Sequence, residues 1–420
     1  MIAKLLRREI AWSTFVQILG KVAQIGLGFF TVKLLTEALG AENYGVYGKI
    51  TEFSLFFSTA GNLGIFGNMV RKMADKPNDS HIFWNALLLR LWTALFFFGM
   101  GLFYAVVQIE DPLFFVGTLL FMSSLLLDYI TSVCDGTLQA QYKMGRATLA
   151  LFAGRAVNLL TTAALFYTEQ HNLALYLLGP LLGSIVTAGI SLGFVRGSMK
   201  IVSHWNSAIQ KELLWTSLPF GIINVLNNIY YRFLPSALIV NVLSNSDYST
   251  YSLSLHLSAT LSLFSTFLMF SILPALKHAL KEGHLHTAQE LYKKARKGLL
   301  WLALSVVVFG SALGPWALSL VSSHDFLAPG LWFILPLLLI LAAVSYFYDL
   351  SFITLFALGK ERWWLKRELL ALAIGLGIGA LSFLPFSSDL KIVIIISSAI
   401  AAEAAMAWVG LRKVKAVLRP

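Results

Sequence analysis

Polar side chains recur at helical spacing inside the first long apolar stretch of the chain. Gln17, Lys21 and Gln24 fall three or four residues apart, with Gly28 one turn further on, so a helix places all four on one face. A lysine that faces lipid at the centre of a membrane helix costs about 2.5 to 3.5 kcal/mol. The spacing therefore predicts that this face points toward protein or water, with Lys21 near the middle of the membrane.

Two further apolar stretches, near residues 50 and 228, also carry polar faces. Lys49 and Glu52 lie three residues apart in the first of them. The two halves of the chain align at an offset of 204 residues, which pairs Asn228 with Gln24 and His256 with Glu52. If these faces are turned toward each other, they enclose a water-filled cationic cleft. The candidate cleft residues are Lys21, Gln24, Lys49, Glu52, Asn224, Asn228, Arg232 and His256. An alternative stays open, in which Lys33 and Lys49 extend their ammonium groups to the outer membrane surface.

Other charges fall inside the apolar stretches of the first half. Arg90, Asp135 and Arg155 each lie about 10 Å from the predicted cytoplasmic end of three consecutive helices. Because unpaired buried charges are costly, we predict that these three residues form a structural ion cluster. Asp128 and Asp349 occupy similar places in the two halves and are predicted to be structural, and Glu403 has no partner that the sequence identifies.

Composition places the protein in a membrane. Hydrophobic residues make up 57% of the 420 residues, charged residues only 13%, and the mean hydropathy is +0.74. The net charge of +11 reflects basic loops between apolar stretches, so nucleic acid is not an expected partner. The eight histidines are scattered, so we expect no metal site. No cofactor is expected, and a proton or a sodium ion is left open as a coupling ion.

The elements that position these residues are predicted to be membrane helices alone. The all-α chain divides into about twelve crossings of roughly twenty residues each. The first two are predicted at residues 10–36 and 46–70, joined by a tight loop at residues 40–45. Residues 43–47 resemble residues 247–251, which indicates two six-helix halves with the same direction in the membrane. The predicted bundles are 1–200 and 201–420, joined by a cytoplasmic stretch at 196–213.

Lysine and arginine predict the orientation. They fall on alternate loops, near residues 71–76, 143–146, 196–211, 277–297, 360–367 and 412–419, while the opposite loops contain one basic residue, Lys391. Both termini are therefore predicted to be cytoplasmic. The opposite loops are short, which disfavours a membrane enzyme with catalytic groups on an outer domain. A basic, amphipathic surface helix is predicted at 281–297, facing anionic head groups.

Several short motifs carry a resemblance to a known family. Residues 30–35 (FTVKLL), 39–45 (LGAENYG), 63–65 (LGI) and Arg71 resemble the opening of polysaccharide-subunit flippases of the multidrug/oligosaccharidyl-lipid/polysaccharide exporter superfamily. Residues 273–277 (LPALK) are similar to the counterpart of this region in the second half. The resemblance implies two pseudo-symmetric six-helix bundles around a V-shaped central cleft lined by crossings one, two, seven and eight.

The resemblance also implies a function and partners. The expected substrate is a lipid-diphosphate-linked oligosaccharide, moved across the bacterial cytoplasmic membrane by alternating access, with Lys21, Lys49 and Arg232 as anion contacts. Membrane lipids and other polysaccharide assembly proteins are expected partners of a monomer. A cation-coupled multidrug exporter and a peptidoglycan-precursor flippase of the same fold stay open as alternatives. A membrane glycosyltransferase or ligase is the alternative from a different class.

Overall fold

The fold is described from a computed structural model. It describes the backbone of residues 2–108, 111–322, 326 and 329–418. Side chains are described within these ranges from residue 19 onward, except at 74, 108, 263–264, 266–275, 277–278, 281, 329 and 357. All regular secondary structure in these ranges is helical, which confirms the predicted all-α class.

Seven helices precede residue 200. They are α1 (Ile2–Asn62), α2 (Ile65–Asp75), α3 (Ser80–Gln108), α4 (Pro112–Ala140), α5 (Met144–Tyr167), α6 (Leu173–Tyr176) and α7 (Leu178–Arg196). Helix α1 has a single non-helical residue at Gly40, with φ 66° and ψ 175°. This kink replaces the loop that the sequence predicts at residues 40–45. The residue at the kink is a glycine because a positive φ is costly for residues that have a Cβ atom.

The predicted second crossing, residues 46–70, is interrupted at Leu63 and Gly64, which separate α1 from α2 and have φ values of 43° and 70°. A Cβ atom on Gly64 would lie 2.7 Å from the ring of Phe220 and 2.9 Å from the backbone nitrogen of Gly221. The close approach of a later helix therefore requires glycine at this break, which hydropathy alone does not reveal.

Seven further helices follow residue 200. They are α8 (Ser207–Asn228), α9 (Leu234–Ile239), α10 (Asn245–Lys281), α11 (Leu285–Val321), α12 (Ile334–Ala357), α13 (Glu361–Ala380) and α14 (Ser388–Val417). A π-helical turn, Ile229–Phe233, joins α8 to α9. The predicted surface helix at 281–297 does not exist as a separate element, because its residues from Leu285 onward begin the 37-residue helix α11.

Eight of the described helices are long and apolar enough to cross a membrane. One of them is Leu19–Asn62, the part of α1 whose side chains are described. The kink at Gly40 divides α1 into two limbs. The protein is therefore a multi-pass membrane protein, whereas the cytoplasmic position of its termini stays a prediction.

The chain forms two compact units, Met1–Asn224 and Val225–Pro420. Most of α8 belongs to the first unit, because Lys72 forms a 2.5 Å salt bridge with Glu212 and the Asn68 amide donates to the Thr216 hydroxyl. The second unit has its own core, which includes Ile239, Tyr248, Ile334 and Ile395. The predicted division into 1–200 and 201–420 stays a prediction.

Candidate functional site

Lys21 lies in a charged cluster of the first unit. Its side chain is exposed, and the carboxyl group of Asp135 on α4 interacts electrostatically with Lys21 and with Asp128. Asp135 is about 8 Å from the end of α4 at Ala140, and Lys21 is about 28 Å along α1 from Gly40. Lys21 lies midway along the first limb of α1, 19 residues from both Ile2 and Gly40. Its predicted position near mid-membrane stays a prediction.

The cluster continues through α4, α5 and α7. The Ser184 hydroxyl donates to the carboxylate of Asp128 at 2.9 Å, and Arg155 interacts electrostatically with both Asp128 and Tyr47. Lys21, Asp128, Asp135 and Arg155 are hereafter called the first-unit cluster. It brings together two cations and two carboxylates from three helices, so its charges compensate one another.

Arg90 does not join this cluster. Its side chain is 4% exposed, and its guanidinium lies 4.8 Å from the centroid of the Tyr129 ring and 5.9 Å from that of Phe66. In the described part of the chain it forms no salt bridge with Asp135, and its Nε and Nη1 atoms are buried without a hydrogen-bond partner. The structure thus changes the predicted three-residue ion cluster: aromatic faces hold Arg90, through cation–π contacts that strengthen when the cation is desolvated.

The other candidates on the first two crossings differ in accessibility. Gln24 is half-buried, and its amide nitrogen is buried without a hydrogen-bond partner. Lys49 is half-buried and interacts electrostatically with Glu42. Glu52 is only 6% exposed and interacts with Tyr44 inside the first unit. Glu52 therefore belongs to the interior of this unit, while Gln24 and Lys49 remain partly accessible.

The candidates near residue 228 lie on α8, the π-helical turn and α10. Asn224, Asn228 and Arg232 are half-buried, and Arg232 lies within the π-helical turn. The imidazole Nδ1 of His256 is 2.8 Å from the carbonyl oxygen of Ser252, one turn earlier on α10. The predicted cleft, in which these residues face Lys21, Gln24, Lys49 and Glu52, stays a prediction.

The second unit contains a buried polar network that the sequence did not predict. The Asn227 amide donates to Glu403 Oε2 at 3.1 Å and to the Tyr230 hydroxyl at 2.8 Å. The Tyr230 hydroxyl donates in turn to Glu368 Oε1 at 2.8 Å, and Tyr348 donates to the same oxygen at 3.1 Å. We call Asn227, Tyr230, Tyr348, Glu368 and Glu403 the second-unit network.

Both carboxyl groups of this network are enclosed. Glu368 is 0% and Glu403 is 1% exposed, and neither forms a salt bridge within the described ranges. The second oxygen of Glu368 has no hydrogen-bond partner. A buried carboxylate is costly unless it is paired or fully hydrogen-bonded. A bound proton is the simplest compensation that this arrangement permits.

The π-helical turn supplies one member of the network. Tyr230 is fully buried on this turn, whereas Arg232, two residues later, is half-buried. Such turns are rare and occur frequently at functional sites. One signal for the network is visible in the sequence, namely the isolated Glu403 inside an apolar stretch. Glu368 was not recognised because it directly follows the basic segment 360–367.

The sequence profile of the family described as polysaccharide biosynthesis protein matches residues 10–280. The chain belongs to this family. No curated protein matches the chain significantly. The family match includes all eight candidate cleft residues, whereas Glu368 and Glu403 lie beyond its last matched residue.

Solved structures show that the chain has the fold of MOP superfamily transporters. An inward-facing multidrug resistance MATE family transporter is 15% identical, with a TM-score of 0.75, and the match covers 93% of this chain and 94% of that one. An outward-facing MATE family transporter is also 15% identical, with a TM-score of 0.71, and the match covers 98% of this chain and 96% of that one.

A third similar structure differs in its reported pocket. It is a MOP superfamily transporter from Pyrococcus furiosus, described as having a reverse polarity of the binding pocket that suggests a different function. It is 15% identical, with a TM-score of 0.66 and coverage of 98% of this chain and 96% of that one. In the part of our chain that the structure describes, no group of three His, Cys, Asp or Glu residues could hold a metal ion.

Proposed function

We propose that the protein is a flippase that moves a lipid-diphosphate-linked oligosaccharide across the bacterial cytoplasmic membrane. The product would be a surface polysaccharide such as O-antigen, capsule or exopolysaccharide. The observation that carries this proposal is the family match over residues 10–280. The transporter fold supports it, because a flippase needs two units that can open alternately to either side of the membrane.

Anion recognition begins at Lys21 in this proposal. The residue is exposed on a membrane helix, and Asp135 is its electrostatic neighbour. A carboxylate next to the lysine compensates its charge while the protein is empty, and a diphosphate competes for the same ammonium group through charge-assisted hydrogen bonds. Lys49 and Arg232 would then hold the diphosphate as it moves outward.

The charge of the candidate residues favours an anionic substrate. Lys21, Lys49 and Arg232 are basic and at least partly accessible, whereas Glu52 is buried inside the first unit. A multidrug exporter for cationic compounds would need accessible carboxylates. Glu368 and Glu403 do not supply them, because both side chains are enclosed. Asp128 is exposed, but Arg155 and the Ser184 hydroxyl already compensate its charge in the first-unit cluster. The charge of the candidate residues does not argue against a peptidoglycan-precursor flippase, because the substrate of such a flippase also carries a diphosphate.

We propose that the coupling ion is a proton and that the second-unit network binds it. Glu368 Oε1 already accepts two hydrogen bonds from phenol groups, and Glu403 Oε2 accepts one from an amide. Donors that point at these oxygens oppose a sodium ion there, whereas a proton on a carboxyl group is compatible with them. Transport that is indifferent to the collapse of a pH gradient would contradict this assignment.

A complementation experiment tests the substrate. Deletion of the gene should remove a specific surface glycan and cause lipid-linked repeat units to accumulate inside the cell. Lys21→Gln and Arg232→Gln should be produced and inserted normally but fail to restore the glycan. Lys21→Arg should restore part of it because the charge is retained, and Arg232→Lys should restore less because lysine cannot form a bidentate contact.

The matched control is Lys200→Gln, which removes an exposed positive charge outside the candidate cleft and should restore the glycan fully. Full restoration by both Lys21→Gln and Arg232→Gln at normal protein levels would remove these residues from the mechanism. Loss of an enzymatic product without accumulation of lipid-linked repeat units would instead favour a membrane glycosyltransferase or ligase.

A further inference from the structure

A cavity of about 590 Å³ lies within the second unit, between the beginning of α11 and the end of α14. Four basic side chains line it: Lys293, Arg296 and Lys297 from α11, and Lys415 from α14. All four are exposed. We call this cavity the basic pocket. Four positive charges around one cavity favour an anionic ligand.

The remaining walls of the basic pocket are largely apolar. Tyr292 and Leu418 are 5% and 1% exposed and form its buried part, while Leu411 is half-buried. Leu300 is 49% exposed at the edge of the pocket, one turn further along α11 than the last of the lysines. The pocket therefore offers positive charge and apolar surface to the same ligand.

The basic residues of the pocket lack the partners that neighbouring basic residues have. None of the four forms a salt bridge in the described part of the chain. By contrast, the Arg412 guanidinium lies 3.7 Å from the centroid of the Trp408 ring, and Lys413 lies 5.6 Å from that of Trp363. Indole rings therefore hold the other cations of the α14 end, and the charges of the basic pocket remain available to a ligand.

The length of α11 places the pocket at the membrane surface. A helix of 37 residues is about 55 Å long, whereas the hydrocarbon core is about 30 Å thick. The first turns of α11, which carry the pocket lysines, therefore extend beyond the hydrocarbon. Trp301 follows Leu300 on α11 and Trp408 lies about one turn before Leu411 on α14. They are 63% and 55% exposed, as expected for tryptophans at the level of the head groups.

We propose that the basic pocket binds the head group of an anionic phospholipid, with an acyl chain along Leu300 and Leu411. The phosphate satisfies the unpaired lysines and Arg296, and the apolar wall continues from the pocket toward the hydrocarbon. A soluble phosphate would use only the charges and would leave this wall exposed. This inference concerns a lipid held by the second unit and does not depend on the proposed transport function.

Lipid titration of the purified full-length protein tests the inference. Native mass spectrometry in detergent would count bound phosphatidylglycerol and compare it with phosphatidylcholine. The double variant Arg296→Gln/Lys415→Gln should bind phosphatidylglycerol more than about tenfold more weakly, because each basic residue near anionic lipid contributes substantially to binding. The matched control Lys294→Gln/Arg412→Gln removes the same charge from the same two helices outside the pocket and should bind like the parent.

A second variant separates shape from charge. Leu411→Trp narrows the pocket without changing any charge and should also displace the lipid, so it decides the question if the double charge variant fails to fold. Parent-like binding of phosphatidylglycerol by the pocket variants would overturn the proposal. Equal binding of phosphatidylcholine, or equal competition by inorganic phosphate, would also overturn it. If the pocket variants lost binding of a polyprenyl phosphate but bound phosphatidylglycerol like the parent, the pocket would be a substrate site and not a phospholipid site.

Discussion

At the scale of single residues, Glu403 has the chemistry expected of a coupling group. It is enclosed in the second unit, its Oε2 accepts one hydrogen bond from Asn227, and its electrostatic neighbours include Asp349 and Glu368. Three acidic side chains thus share one buried region. Removal or addition of a single proton changes the charge of this region by one unit. In a medium of low dielectric constant this charge strongly changes the electrostatic energy of the region.

We expect Glu403→Gln to abolish coupling without unfolding the protein. The glutamine carbonyl still accepts the hydrogen bond from Asn227, but an amide cannot exchange a proton in the way a carboxyl group does. The variant should melt like the parent, and translocation of lipid-linked repeat units in inverted vesicles should no longer respond to a pH gradient. Glu290→Gln, an exposed site on α11, is the matched control. A gradient response that survives in Glu403→Gln would exclude Glu403 as the coupling group.

Sequence patterns predicted which residues are buried better than they predicted the partners of those residues. Arg90 and Asp135 were recognised as charges inside apolar stretches, and both are buried at least in part. Whether a carboxylate or an aromatic face compensates Arg90 depends on the packing of three helices, and hydropathy contains no information about that packing. Glu368 was missed for a related reason, because a charge one residue beyond a basic segment resembles a loop charge.

At the scale of helices, α5 and α7 approach each other through small residues. A Cβ atom on Gly183 would lie 2.7 Å from the backbone oxygen of Gly154, and one on Gly154 would collide with the Thr187 side chain. Gly179, Gly183 and Thr187 recur every four residues on α7. Small residues at this spacing allow close packing of membrane helices, which supplies much of their association energy in lipid.

We expect Gly183→Ala to destabilise the first unit by about 1 to 3 kcal/mol, because the new methyl group meets backbone atoms that cannot rotate away. Gly189→Ala on the same helix is the control, since nothing lies within 4 Å of a Cβ atom there. It should leave stability unchanged or raise it slightly, because alanine favours helix more than glycine. Thermal melting of both variants in the same detergent gives the comparison. Equal melting temperatures would show that α5 and α7 do not pack as closely as described.

Helix boundaries were the least predictable feature of the elements. Hydropathy indicated the apolar stretches correctly, but the kink at Gly40 and the break at Gly64 are positions where backbone angles, and not polarity, change. The π-helical turn Ile229–Phe233 is equally invisible to a hydropathy window. The sequence pattern predicted the first turns of α11 as a separate surface helix because they are basic. Basic residues do not end a helix that continues out of the membrane, and α11 is continuous.

At the scale of the whole molecule, the sequence predicted the fold class and the family correctly. Apolar stretches gave the multi-pass architecture, and short motifs indicated the polysaccharide family that the match over residues 10–280 shows. The relation between the two units could not be predicted in the same way, because the cleft depends on which polar faces meet. The candidate cleft residues therefore rest on residue type and accessibility within each unit.

Orientation in the membrane is open to a direct test. Basic residues on alternate loops predict that Asn78 and His286 are cytoplasmic and that Gln170 is on the opposite side. All three side chains are exposed, and the single cysteine, Cys134, is buried, so Cys134→Ala provides a background without other thiols. In that background, Gln170→Cys should react with a membrane-impermeant maleimide in intact cells. Asn78→Cys and His286→Cys should react only after permeabilisation, which also controls for thiol reactivity. Labelling of either of these two in intact cells would reverse the predicted orientation, and with it the direction in which Lys21 would receive the substrate.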